Sequence, residues 1–180
     1  QLKAMYKDSA EKFYSLIKDN LNNNKKTFIV TANPETFSYE KEEDFNKLLL
    51  DENTTIVPDG IGIVKAARMI NYDVKERIAG IDIANKLLEL GNKQKKSIYL
   101  FGSKQEVIDS MKEVLKKDYP NLELVGASNG YEKDKDKVFE KIAKEKPDIV
   151  LVALGIPLQE KLIYKHLDQF NKGIFVGVGG

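Results

Sequence analysis

The chain has 180 residues, the size of one domain, and an apolar fraction of 42% suffices for a core of ordinary extent. Acidic and basic residues nearly cancel to a formal charge of +1, so no global field draws the chain to nucleic acid. The absence of cysteine excludes disulfides, thiolate zinc sites and a cysteine nucleophile.

Arg68 and Arg77 are the only arginines among many lysines. That scarcity draws attention to both, because a planar guanidinium grips a phosphate or carboxylate with two bonds and lysine cannot. No apolar run approaches the roughly 20 residues of a membrane-spanning helix. Lys3, Lys7, Asp8, Glu11 and Lys12 interrupt the N-terminal stretch, unlike a signal peptide. A soluble, cytoplasmic chain is predicted.

In chain order, Leu2, Tyr6, Ala10, Phe13, Ile17 and Leu21 repeat at helical spacing, and Asn22-Asn23-Asn24 breaks the pattern. Thr27–Val30 predicts a strand, followed by a polar, helix-like segment to Leu50. Thr54–Val57 predicts a second strand, stopped by Pro58, with a helix from Asp59 to about Ile70. A connection from Asn71 to Ala79 leads to a helix over Ile83–Leu90, which Gly91 is expected to end as a C-terminal glycine. Strands follow at Ser97–Phe101, Leu122–Val125, Asp148–Ala153 and Ile174–Val178. Helices between them are marked by Val107 to Leu115, by Val138 to Ala143, and by Leu158 to Phe170.

Strands apolar on both faces, alternating with helices, imply an α/β fold: one Rossmann-like domain over 1–180, its mostly parallel sheet covered by helices on both faces. Ligands of such sheets bind outside the carboxyl ends of the strands. Four strand ends are unusual there: Thr31-Ala32-Asn33-Pro34-Glu35, Pro58-Asp59-Gly60-Ile61-Gly62, Gly102-Ser103, and Gly155-Ile156-Pro157-Leu158-Gln159-Glu160.

Asp59 has two readings. It could cap the following helix, which would lower its pKa. It could instead be a base on a cleft floor, flanked by Gly60 and Gly62 so that substrate approaches the backbone. Thr31 and Asn33 could be turn residues, or could orient a sugar or phosphate oxygen. Gly102-Ser103 resembles a phosphate-cradling turn at a helix N-terminus. Arg77 pairs with a surface acid or binds a diphosphate; Arg68, inside a predicted helix, is read as structural. His166 is read as a packed histidine. Asp134-Lys135-Asp136 matches the Asp-X-Asp metal pattern of many nucleotide-sugar transferases, but lies where acids favour a helix start. No dinucleotide or Walker motif is present.

Seven segments in order resemble the WecG/TagA/CpsF group, glycosyltransferase family 26. They are residues 31–35, 58–62, 76–80 (Glu76-Arg77-Ile78-Ala79-Gly80), 99–102, 129–131 (Asn129-Gly130-Tyr131), 153–160 and 177–180. Leu158 stands where the family usually carries lysine. The resemblance implies an inverting transfer of N-acetylmannosamine from a UDP donor to undecaprenyl-diphosphate-linked N-acetylglucosamine, as in teichoic-acid-type polysaccharide synthesis. Other UDP sugars (N-acetylmannosaminuronate, glucose, galactose) remain alternatives, as does a noncatalytic sugar-nucleotide-binding domain.

On the same basis Asp59 is the expected general base, with Thr31 beside the reacting sugar. Asn33, Gly62, Arg77, Gly102, Tyr131, Gly155, Gln159 and Glu160 are the expected substrate contacts. Neither cofactor nor metal is expected. The partners implied are the UDP-sugar, a polyprenyl-diphosphate-linked sugar and a membrane surface at the inner face of the cell membrane, met through a C-terminal segment that would follow Gly180. Self-association as a dimer or trimer is also expected.

Overall fold

The structure, a computed structural model, describes residues 5–69 and 74–179, with only the backbone at 61 and 62. Its centre is a six-stranded sheet in which every pairing is parallel. The strands are β1 (Thr27–Ala32), β2 (Thr54–Pro58), β3 (Ser97–Gly102), β4 (Glu123–Ser128), β5 (Ile149–Ala153) and β6 (Ile174–Gly177). Their order across the sheet is β2-β1-β6-β5-β3-β4.

The helices are α1 (Ala10–Asn22), α2 (Pro34–Ser38), α3 (Glu43–Leu50), α4 (Ile61–Met69), α5 (Gly80–Lys93), α6 (Gln105–Asp118), α7 (Lys135–Glu145) and α8 (Leu158–His166). Two apolar cores, one on each face of the sheet, hold these layers together. Phe28, Val30, Tyr99, Phe101, Val150 and Val152 pack with α3, α4, α7 and α8. The alternate strand residues Ile29, Val57, Ile98, Leu100, Leu151 and Val176 pack with α1, α5 and α6. Successive strand side chains point to opposite faces, so a strand buried on both must be apolar throughout. The predicted fold class is the observed one.

Two local expectations differ. The first helix starts only at Ala10, because the Ser9 side chain accepts the Lys12 N–H and caps it there. Met5 instead forms a parallel bridge with Ile56, extending the pairing around β2; Leu2 and Ile70 lie outside the described residues. Gly91 does not end its helix: α5 continues to Lys93. Gly91 is there for close approach, since a Cβ would lie 2.7 Å from Leu122 Cδ1 and 2.9 Å from Ile149 Cδ1.

The connections define the site. From β3 the chain leaves through α6 on one face, and from the adjacent β5 it leaves through α8 on the other. The strand ends therefore diverge, and a crevice opens between them at a topological switch point.

Candidate active site

Register and alternation place the first pair of residues. Thr31 stands two residues beyond Ile29 and Asp59 two beyond Val57, so both turn to the face carrying α5. They meet at the start of that helix. A Cβ built on Gly80 would lie 3.6 Å from Asp59 Oδ2 and 3.7 Å from Thr31 Oγ1, so Gly80 leaves both polar groups room.

Asp59 lies one position before the N-cap of α4, which begins at Ile61. Gly60 takes the cap position, its carbonyl accepting the Val64 N–H at 3.1 Å. The Asp59 carboxylate instead takes a hydrogen bond from the Gly80 N–H. Arg77 donates through Nε to the Asp59 main-chain oxygen at 2.7 Å, and its Nη2 lies 3.5 Å from Oδ1. Burial pushes the Asp59 carboxyl above its ordinary pKa, the Gly80 N–H and Arg77 hold it back, and Asp82 adds to the rise. The lowered pKa expected of a helix cap is thus replaced by a raised one. A carboxylate with a raised pKa is a stronger proton acceptor than a free aspartate.

Asn33 caps α2. Its Oδ1 accepts the Thr36 N–H at 3.0 Å while Thr36 Oγ1 accepts the Asn33 N–H at 3.1 Å. The Thr36 hydroxyl also donates to the Thr31 carbonyl at 3.2 Å, tying the cap to the end of β1. Gly62 lies in the first turn of α4, and its surroundings fall outside the described residues.

The crevice lies at the ends of β3, β4 and β5. It encloses about 560 Å³ between Ser103, Lys104, Val107, Gly130, Tyr131, Lys135, Ala153, Leu154 and Leu158. A second, more apolar depression of about 270 Å³, bounded by Ile81, Met111 and Val178 among others, shares Ser103, Val107 and Ala153 with it. The two adjoin across the switch point, the second bounded by Ile81, Ala84 and Asn85 of α5.

Gly102 makes that junction possible. Its φ is +123°, and a Cβ would fall 2.2 Å from the Ala153 carbonyl oxygen. The neighbouring Ser103 N–H donates to that oxygen at 3.0 Å, so it is not free to cradle a phosphate as the turn suggested. The start of α6 behind it has no side-chain cap. Its first N–H groups and the Lys104 side chain are the positive features at this edge. Lys135, at the start of α7, faces the crevice from across Tyr131, which is largely exposed.

Gly155 adopts a positive φ of 82°, with open space where a Cβ would be. Gln159 and Glu160 are buried under the loop that Gly155 begins, and their hydrogen bonds run to protein groups. Burial raises the Glu160 carboxyl to about 7, and Glu35 pushes the same way, against hydrogen bonds from Gln159 and from its own N–H.

The remaining singled-out residues have structural places. Arg68 donates to the Val74 and Lys75 carbonyls at 3.1 and 2.8 Å. His166 stacks on Phe139 at 5.0 Å and bonds Asp136 through Nε2 at 2.7 Å. Asp134 caps α7, so the two acids of Asp134-Lys135-Asp136 serve separate contacts. Among the described residues, no three histidine or acidic groups converge as metal ligands.

Thr31, Asp59 and Arg77 are therefore assembled as one cluster; Tyr131 lines the crevice, Gly102 lines the adjoining depression, and Gly155 follows the crevice residue Leu154 in the chain. Sequence reasoning missed Gly80, Lys104 and Lys135. Gly80 closes the Glu76-Arg77-Ile78-Ala79-Gly80 segment, where only Arg77 stands out by residue type. Lys104 directly follows a strand-end Gly-Ser, the one signal that distinguished it from other lysines.

Fold and site together define an α/β protein with a polar strand-end site at a topological switch point. The chain belongs to the glycosyl transferase WecG/TagA/CpsF family, whose pattern matches residues 4–180. Three similar proteins share the name N-acetylglucosaminyldiphosphoundecaprenol N-acetyl-beta-D-mannosaminyltransferase. That of Bacillus subtilis (strain 168) is 42% identical over 153 residues, which are 84% of this chain and 59% of that protein. That of Bacillus spizizenii (strain ATCC 23059 / NRRL B-14472 / W23) is 40% identical over 160 residues, 89% of this chain and 62% of the relative. That of Staphylococcus aureus (strain NCTC 8325 / PS 47) is 32% identical over 153 residues, 85% and 60% of the two chains. The chain spans about three fifths of the length of these relatives.

Proposed function

We propose that this chain forms the donor-handling body of an inverting glycosyltransferase. The reaction moves N-acetylmannosamine from UDP to N-acetylglucosamine carried on a polyprenyl diphosphate. The names of the relatives support that substrate pair, and the Thr31–Asp59–Gly80–Arg77 cluster is the observation that carries the chemistry.

In this reading Asp59 takes the proton from the acceptor hydroxyl as its oxygen attacks the anomeric carbon. The bond to UDP breaks on the opposite face and UDP leaves with the bonding electrons. A base with a raised pKa binds that proton more firmly, and proton transfer of this kind contributes about 10²–10⁴ in rate. Thr31 orients the sugar beside it. Asn33 and Gly62 flank the same strand ends as further substrate contacts.

The leaving diphosphate needs positive charge fixed in advance. Arg77, Lys104, Lys135 and the α6 N-terminus supply it from this chain, so the reaction as proposed needs no metal or other cofactor. Tyr131 offers an exposed ring at the crevice mouth for the uracil. Gly102 and Gly155 let ligand and backbone approach closely.

No helix among the described residues is long and apolar enough to cross a membrane. Access to a lipid-linked acceptor is assigned to peripheral contact at the inner membrane face. Dimer or trimer formation belongs to the same proposal. A transfer assay with the full-length protein, radiolabelled UDP sugars and a short-chain lipid-diphosphate acceptor tests the reading. Label passing to the acceptor lipid with inversion supports it; failure to use any UDP sugar overturns it.

A further inference from the structure

Gln159 and Glu160 are 1% and 3% exposed, so neither offers surface to a ligand in the crevice. Their hydrogen bonds give them another task. Gln159 Oε1 accepts the N–H groups of Gly155 and Gly179, each at 3.1 Å, and lies 3.4 Å from the Leu154 nitrogen. These groups belong to two chain segments, one leaving β5 and one leaving β6.

The other end of the amide is fixed by Glu160, whose Oε2 accepts from Gln159 Nε2 at 2.8 Å. An amide has one accepting and one donating end, and a flip would set Nε2 against two or three N–H donors. A flip would also set Oε1 against the Glu160 acceptor, so position 160 holds the donating end while the N–H groups hold the accepting end. Gly177 supplies the room: a Cβ there would lie 2.5 Å from Gln159 Nε2 and 2.7 Å from Glu160 Oε2. Among the described residues, Glu160 Oε1 is buried without a hydrogen-bond partner. Lys161, next along α8, is engaged with Glu42 and supplies no counter-charge.

We infer that Glu160 is a positioning residue: by orienting the Gln159 amide it fastens the segments after β5 and β6 to each other and so sets the walls of the crevice. Its place in catalysis rests on the transferase reading, whereas the brace itself does not. Leu154 and Leu158 wall the crevice on the β5 side, and Val178 bounds the adjoining depression on the β6 side. Loosening the brace therefore displaces both walls without removing any group that touches substrate.

The test compares Glu160→Gln with Glu160→Met, two side chains of similar shape of which only the first can accept from Gln159. Amide hydrogen exchange is read at Leu154, Gly155 and Gly179, with UDP binding measured by calorimetry. Glu160→Gln keeps wild-type exchange and affinity. Glu160→Met exchanges roughly tenfold faster or more at Gly155 and Gly179, with β3 and β5 amides still protected, and binds UDP more weakly. Gly177→Ala, which intrudes on the same pair from the strand, carries the same expectation should Glu160→Met fail to fold.

Unchanged exchange in Glu160→Met overturns the inference. So does a Glu160→Gln variant as loose as Glu160→Met, because the carboxyl itself would then be required. Wild-type protein that fails to bind UDP contradicts the transferase reading alone, and the exchange data still decide the brace.

Discussion

Arg77 holds Asp59 at two points, through a 2.7 Å hydrogen bond to its main-chain oxygen and a 3.5 Å approach to its carboxylate. The first contact fixes the turn after β2, and the second tempers the proton affinity that burial gives the carboxyl. Arg77→Ala removes the guanidinium that lowers the Asp59 pKa, so the carboxylate protonates at higher pH. In the proposed reaction activity depends on the ionised form and is lost as pH falls. The acid limb of the kcat/KM profile therefore moves to higher pH in Arg77→Ala. The pH–rate profile of the full-length variant against wild type measures the shift; a limb at unchanged pH contradicts the pairing.

Glu160 links stability to pH in the opposite sense from an ordinary salt-bridged acid. Its carboxyl is raised from 4.5 to about 7 in the fold, so the folded state binds the proton more tightly than the unfolded chain. The stabilisation is fully present below about 4.5 and is lost as pH rises through 7. The full effect is on the order of 3 kcal/mol at 1.36 kcal/mol per unit. Glu160→Gln abolishes this contribution to the slope. Urea unfolding at several values between pH 5 and 8 gives the comparison.

Gly102→Ala sets a methyl group against the Ala153 carbonyl while keeping a backbone angle that side chains rarely adopt. Strain and overpacking together cost roughly 2–5 kcal/mol. Chemical denaturation checks this directly, and a change under 1 kcal/mol, roughly the level of an ordinary surface substitution, rejects the close approach.

Lys104 and Lys135 face one crevice from α6 and α7. If both reach the diphosphate, the double alanine variant binds UDP roughly tenfold or more weakly, with less dependence on salt than wild type, as expected when charge-assisted contacts are removed. Calorimetric titration at two ionic strengths separates this from a general loss of fold, which would leave no heat at either.

Much of the architecture is legible in the sequence because its strands announce themselves. Ile149–Ala153 is apolar throughout, as a strand covered on both faces must be, and the switch point follows once helices alternate between faces. Periodicity misplaces the start of α1, since Tyr6 shares its spacing while Ser9 fixes the boundary through a single hydrogen bond. Gly91 misleads for a related reason: glycine marks chain ends and close packing alike, and only Leu122 and Ile149 decide between them. At the site, Thr31 and Asp59 are visible as polar residues at strand ends. The clasp of Arg77 on Asp59 is not, because it spans a connection without periodic pattern. Nor is the burial of Gln159 and Glu160, which depends on the missing side chain of Gly177 at the end of β6.

In the proposed reaction Asp59 accepts the acceptor's proton, and the turnover of full-length Asp59→Asn tests that role. The variant keeps the shape of the site and loses the base. With UDP-N-acetylmannosamine and a short-chain polyprenyl-diphosphate N-acetylglucosamine, kcat is expected to fall on the order of 10²–10⁴ while UDP still binds. Near-normal turnover in Asp59→Asn would contradict the account.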